Sequence, residues 1–398
     1  MALARIRQLS AHEVGHTLGF THNFAASTNN RSSVMDYPHP KLQVKNNKID
    51  FSNAYEVGIG AWDKVTVAYA YQYFQNNEEQ KLQDVLNNAF DQGMRYISDA
   101  DARPKGSAHA YAHLWDNGND IIEELNNILE VREFSIKNFS EDNIKSNQPF
   151  SVLEDVFVPL YFYHRYQTEA VSKMIGGLDY TYTVKRDKKS KMQKINSKTQ
   201  KEALTVLMKT IDVKTLAIPN SVLELFPPRV IGYPRSRESF KSYLGVAFDS
   251  YGAVSTASNM TFELILHPQR VNRVYMNKSM DSDQLGLEEL FETLNLNTFK
   301  KSYKDAYQQE IQNIINEQYL NNIFDLVTSE NIYPQVRAYS LNELKELSNW
   351  LLGYKTNDRQ KIINNYYSKL IDDFIKDPKK RSKKNIPKIP DGSPIGME

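Results

Sequence analysis

The sequence of 398 residues contains no cysteine. Disulfides and thiolate metal sites are therefore excluded, and the redox compartment is left open. No apolar run is long enough to cross a bilayer. Neither sign of charge is in excess, since 49 Lys and Arg face 48 Asp and Glu. A nucleic-acid partner normally requires a basic surplus, so that class is disfavoured. No G-x-S-x-G segment occurs, and without cysteine the chain offers no recognisable covalent nucleophile. The opening residues Met1–Arg5 lead straight into a helical pattern with no signal-peptide pattern. The apolar share of 40% is ordinary for a soluble protein, and the length predicts two or three subdomains.

Against these absences stands one dense motif, His12-Glu13-Val14-Gly15-His16-Thr17-Leu18-Gly19-Phe20-Thr21-His22. Residues 3–19 read as a helix, on which His12 and His16 project from one face about a turn apart. Glu13 is offset to the side, where a general base belongs. Gly19 permits the left-handed residue that ends a helix, and His22 then returns as a third ligand. This spacing predicts one Zn2+ held by His12, His16 and His22. Three neutral imidazoles leave the ion an open position, and the pKa of a water there falls from about 15.7 toward roughly 7. Glu13 can take that water's proton and pass it to a leaving amine. A buried helix whose histidines merely pack does not explain why glutamate, glycine and a third histidine all fall at ligand spacing. Asn23 follows the third ligand and is placed to fix the loop through side-chain to backbone hydrogen bonds.

The rest of the chain reads as mostly α, with one or two hairpins. Residues 20–53 read as loop. Helices are expected at Ala54–Phe74, with Val57, Trp62, Val65, Val67, Ala68 and Tyr71 on the buried side, and at Glu78–Ile97. Ser98–Asp120 reads as a polar loop, and its acids Asp99, Asp101, Asp116 and Asp120 as solvated, because the EF-hand pattern is absent. His109 and His113 lack an intervening acid and read as structural; His39, His164 and His267 are isolated. A long apolar and aromatic helix is expected at Leu153–Ile175, then a strand-like alternation at Asp179–Val184 and a basic stretch at 185–201 that reads as a hairpin tip. Further helices are expected at Lys201–Ile211, at Ser221–Leu225, after an Asp249 cap to about Leu266, around Ile311–Leu326, after a capping box at Ser340–Glu343 as far as Gly353, and at Ile362–Ile375. The tail beyond Pro378 is rich in Lys and Pro.

The long histidine motif and the nearby Ser33-Val34-Met35-Asp36-Tyr37 resemble the zinc site and methionine turn of metzincin proteases. Ser33–Pro40, Ala54–Val65, Tyr163–Gly177 and Pro394-Ile395-Gly396 further resemble the bacterial (Bacteroidetes-type) Met-zincin family, from His12 to Gly396. The resemblance implies His12, His16 and His22 as ligands, Glu13 as base and Met35 as a hydrophobic floor beneath the metal. It also raises a catalytic part for Tyr37, since in some metzincins a tyrosine there reaches the metal or the tetrahedral intermediate; the alternative for Tyr37 is simple packing beside Pro38. It implies a mainly α fold: residues 1–100 as the lower catalytic subdomain, 101–376 as a helical C-terminal region, and 377–398 as a tail. The metzincin sheet that precedes the zinc helix is not encoded, so we expect the C-terminal part of a longer protease that needs its N-terminal half. The expected activity is zinc-dependent endopeptidase, acting on a protein or peptide, with export of the full-length form. The alternatives are a catalytically silent zinc-containing scaffold and a non-peptidase hydrolase using the same water.

Overall fold

A computed structural model describes residues 1–185, 192–235, 239–240, 242–381 and 389. Helix takes up 58% and strand 3%, so the fold is mainly α. In chain order the elements are α1 (Ala2–Thr17), β1 (Gln43–Lys45), β2 (Lys48–Asp50), α2 (Ala61–Tyr71), α3 (Glu78–Asp91), α4 (Asp99–Ala102), α5 (Ile121–Lys137), α6 (Leu153–Tyr161), α7 (Arg165–Ser172), β3 (Leu178–Asp179), β4 (Gln193–Lys194), α8 (Ser197–Thr210), α9 (Val213–Leu216), α10 (Asn220–Leu223), α11 (Ser250–Ile265), α12 (Pro268–Met280), α13 (Leu287–Asn297), α14 (Ala306–Thr328), α15 (Pro334–Gly353) and α16 (Asp358–Lys376), with a few short 3-10 turns between them. Among the described residues the strands form two antiparallel hairpins, β1 with β2 and β3 with β4.

The described residues divide into two compact units, one within 1–140 and 159–207, the other within 141–158 and 208–381. Residues 101–140 and 159–207, which the sequence groups with the C-terminal helical region, thus fall in the unit that carries the histidines.

The first unit holds more loop than its sequence suggests. The second helix begins only at Ala61, because Gly58 is left-handed and Gly60 sits against backbone. Trp62 is buried as expected, but Val57, Val67 and Tyr71 are exposed. The third helix stops at Asp91, ahead of the left-handed Gly93. Helix α5 went unpredicted, although Asp120 caps it by accepting from the backbone N–H groups of Ile122 and Glu123. Its buried Ile121, Leu125, Ile128 and Val131 recur at roughly helical spacing, a signal that its many Asn and Glu residues hide. The long helix expected at Leu153–Ile175 is two helices, α6 and α7, joined by a tight turn at residues 162–164. Tyr180–Val184 is not strand, and most of the basic stretch, residues 186–191, lies outside the described residues.

The second unit is helix on helix. Asp249 caps α11 through the Gly252 N–H, as expected. Helix α14 packs along α11, and α15 pairs with α16. Helix α14 is buried all round, apolar at Ile311, Ile315, Tyr319 and Ile323 and amide-lined at Gln312, Asn316 and Asn322. Those amides are hydrogen-bonded: Gln312 donates to Asn316, and Asn322 donates to Asn259 and to the Gln318 carbonyl. Helix α15 begins at Pro334, earlier than expected, because proline is pre-set for a first helical turn. Ser340 is therefore mid-helix, and its hydroxyl donates to the Val336 carbonyl rather than capping.

Candidate metal centre

Helix α1 ends in a tight C-cap. The Gly19 N–H bonds the His16 carbonyl and the Phe20 N–H bonds the Gly15 carbonyl, with Gly19 at φ +84°. This Schellman arrangement turns the chain sharply and brings His22 back to the helix. The Tyr71 hydroxyl braces the turn by donating to the Leu18 carbonyl. The rings of His12, His16 and His22 then stand 4.7 to 5.3 Å apart by centroid, and one ring nitrogen from each lies within 4.8 Å of the others. Among the described residues this is the one group of three or more His, Cys, Asp or Glu able to share an ion.

Hydrogen bonding fixes which nitrogens face inward. His12 Nδ1 is 2.7 Å from the Val34 carbonyl, His16 Nδ1 2.9 Å from the Phe20 carbonyl, and His22 Nδ1 2.9 Å from the Asp99 carboxylate. Two of these partners are carbonyls that only accept, and the third is a carboxylate that accepts when ionised, so each Nδ1 carries the proton and each Nε2 presents a lone pair. His22 Nε2 is buried and has no hydrogen-bond partner. Burial pushes the His12 and His22 pKa values down, more than the Val34 and Asp99 bonds raise them. Neutral rings with inward lone pairs are the form that ligates zinc, so the residues fit the ion.

The loop of residues 32–37 is fixed from several sides. Asp63, at the start of α2, accepts from the Ser33 hydroxyl at 2.6 Å and from the Val34 N–H at 2.9 Å. Gly60 lies so close that an added Cβ would stand 2.0 Å from the Ser32 carbonyl oxygen. Met35 is buried against α1, where a Cβ on Gly15 would come 2.2 Å from its sulfur. Asn23 accepts from the N–H groups of Ala25 and Ile97 and donates to the Arg95 carbonyl. Its own N–H donates to the Met35 carbonyl, which ties the third histidine's loop to this turn.

Tyr37 lies inside an aromatic stack. Its ring is 5.1 Å from His12, 4.8 Å from His22 and 5.0 Å from Trp115, the last nearly parallel. Trp115 is held at φ +64°, an uncommon conformation for so large a residue. Asp36 of the turn and Asp116 are both buried. Ser27 bridges them, its N–H to Asp36 and its hydroxyl to Asp116. Burial raises both pKa values, and the charge of Asp116 raises that of Asp36 further.

The acidic loop is not simply solvated, and this corrects the sequence reading. Asp99 joins His22 to Arg103, whose Nε donates to it at 2.5 Å. Burial pushes Asp99 up, but the bonds from Arg103 and His22 outweigh it and bring its pKa to about 2. Asp101 accepts from the Tyr180 and Tyr182 hydroxyls, Asp116 is buried, and Asp120 caps α5. The roles of Asp63, Asp99 and Trp115 were missed because each acts on residues far away in sequence. The other histidines stand apart from the cluster. His109 Nε2 meets the Tyr180 carbonyl and its Nδ1 accepts from the Tyr111 N–H. Burial lowers His109 to about 4 and His39 to about 3, which keeps both neutral.

The sequence model of a family described as Met-zincin matches residues 1–306 of the 398. The chain belongs to this family and carries a zinc-metallopeptidase-like domain. No curated protein and no solved structure matches it.

Proposed function

We propose that the chain carries the catalytic centre of a zinc-dependent endopeptidase whose substrate is a protein or peptide. The observation behind this reading is the set of three Nδ1-anchored histidines beside an exposed glutamate. A zinc ion held by His12, His16 and His22 would supply Lewis acidity and make water acidic enough to lose a proton near neutral pH. Glu13 follows His12 on the helix and faces solvent, so it can accept that proton and return it to the leaving amine. Asp99 holds the His22 ring in its metal-facing tautomer, and the Val34 carbonyl does the same for His12. Met35 packs the helix onto the turn. Tyr37 borders two of the ligands, and under this reading its hydroxyl would meet the substrate's reacting carbonyl.

The test is turnover of a quenched peptide mixture by the zinc-loaded full chain. Glu13→Gln should keep the zinc and lose hydrolysis by a factor on the order of 10² to 10⁴. Zinc retained with no turnover in the wild type, even after the N-terminal half that the resemblance implies is supplied, would favour the silent scaffold. Ester hydrolysis without peptide hydrolysis would favour a different hydrolase.

A further inference from the structure

Arg103 has no part in holding the ion, yet three contacts hold it beside the histidines. It terminates α4, its N–H bonding the Asp99 carbonyl at 2.9 Å, and Pro104 follows it. Its Nε donates to Asp99 at 2.5 Å, on the carboxylate that also accepts from His22 Nδ1. Its guanidinium stands 5.5 Å from the Phe24 ring and 5.8 Å from the Tyr37 ring. Phe24 and Tyr37 are in turn 5.0 and 4.8 Å from His22. The arginine side chain is still 39% exposed, so its outer edge remains open to an incoming group.

A guanidinium fixed through Nε presents its two terminal nitrogens as a planar fork, which matches a carboxylate at two points. The separation from His22 is short compared with the reach of a peptide, which advances about 3.3–3.6 Å per residue. Resting on the peptidase reading above, we propose that Arg103 is a specificity residue that binds a substrate carboxylate within a residue or two of the scissile bond. The carboxylate is either an acidic side chain, as internal cleavage requires, or the substrate's own C-terminus, which would make the cleavage C-terminal rather than internal.

Paired peptides differing only in Glu against Gln near the cleaved bond, and others with a free against an amidated C-terminus, separate the two sources. The zinc-loaded wild type should favour the carboxylate member of one pair by about tenfold in kcat/KM. Arg103→Gln should bring that ratio to about one, Arg103→Lys should retain part of it, and zinc content measured on each variant shows that the site is intact. Affinity of the same peptides for zinc-loaded Glu13→Gln protein reads the preference without turnover. Absence of cleavage with the binding preference present would overturn the peptidase reading alone. Equal affinity for both members of both pairs, or a preference that survives in Arg103→Gln, would overturn the role of Arg103.

Discussion

In the unit of residues 208–381, helices follow from local signals: an Asp249 cap, a Pro334 start and apolar residues at helical spacing along α14. In the unit that carries the histidines, the decisive contacts join residues far apart in sequence. Asp99 holds His22, Asp63 holds Ser33 and Val34, and Ser27 bridges Asp36 and Asp116. The first kind of structure is redundant, because each helix has many contacts of similar weight. The second depends on single atoms, so comparable substitutions should have very different consequences in the two units.

Glycine gives the largest contrast. Gly60→Ala drives a Cβ into the Ser32 backbone, whereas a Cβ on Gly353 in α15 meets nothing within 4 Å. We expect Gly60→Ala to destabilise the chain by about 3 kcal/mol or more. Gly353→Ala should be neutral or stabilising, by at most about 0.5–1 kcal/mol. Thermal unfolding of both variants checks this, and equal effects would break the contrast.

The buried acids come next. Asp116 has a folded pKa of about 7, above the ordinary carboxylate value, so the folded state holds its proton through the window between them. Stability from this group is full below about pH 4, falls as pH rises to about 7, and is level above that, by at most about 1.4 kcal/mol per pH unit. Asp116→Asn should remove this group's share of the slope, leaving that of Asp36, and raise stability at pH 8 by about 2 kcal/mol. Denaturant unfolding across that range decides it. A slope unchanged in the variant would show that Asp116 is not responsible.

A smaller effect is expected at the metal. Asp99→Ala removes the partner of His22 Nδ1 and should weaken zinc binding by about 10- to 100-fold, measured by competition with a chelator of known affinity. Unchanged affinity would show that the carboxylate does not orient the ring. In the other unit Asp249→Ala deletes a helix cap and should cost about 1 kcal/mol of stability without changing zinc affinity.

The same contrast explains what could be read in advance. His12, Glu13, His16, Gly19, His22 and Met35 lie within a short stretch, so their spacing carries the arrangement. Asn23 was legible because its amide acts on a loop that it begins. Asp99 and Arg103 were not, since no local pattern distinguishes an acid that meets a histidine 77 residues away from one that meets water. Helix α2 was overextended because an apolar count takes no account of Gly58 and Gly60. Ser340 looked like a cap because serine's role depends on where the helix begins, and Pro334 had already begun it.

The central claim is that three inward Nε2 atoms grip one zinc ion, and metal stoichiometry on the full chain tests it most directly. Reconstituted wild type should bind one tight zinc per chain, and each of His12→Ala, His16→Ala and His22→Ala should lose most of that affinity while remaining folded by circular dichroism. Failure of folded wild type to take up zinc, or wild-type affinity in the His22→Ala variant, would contradict it.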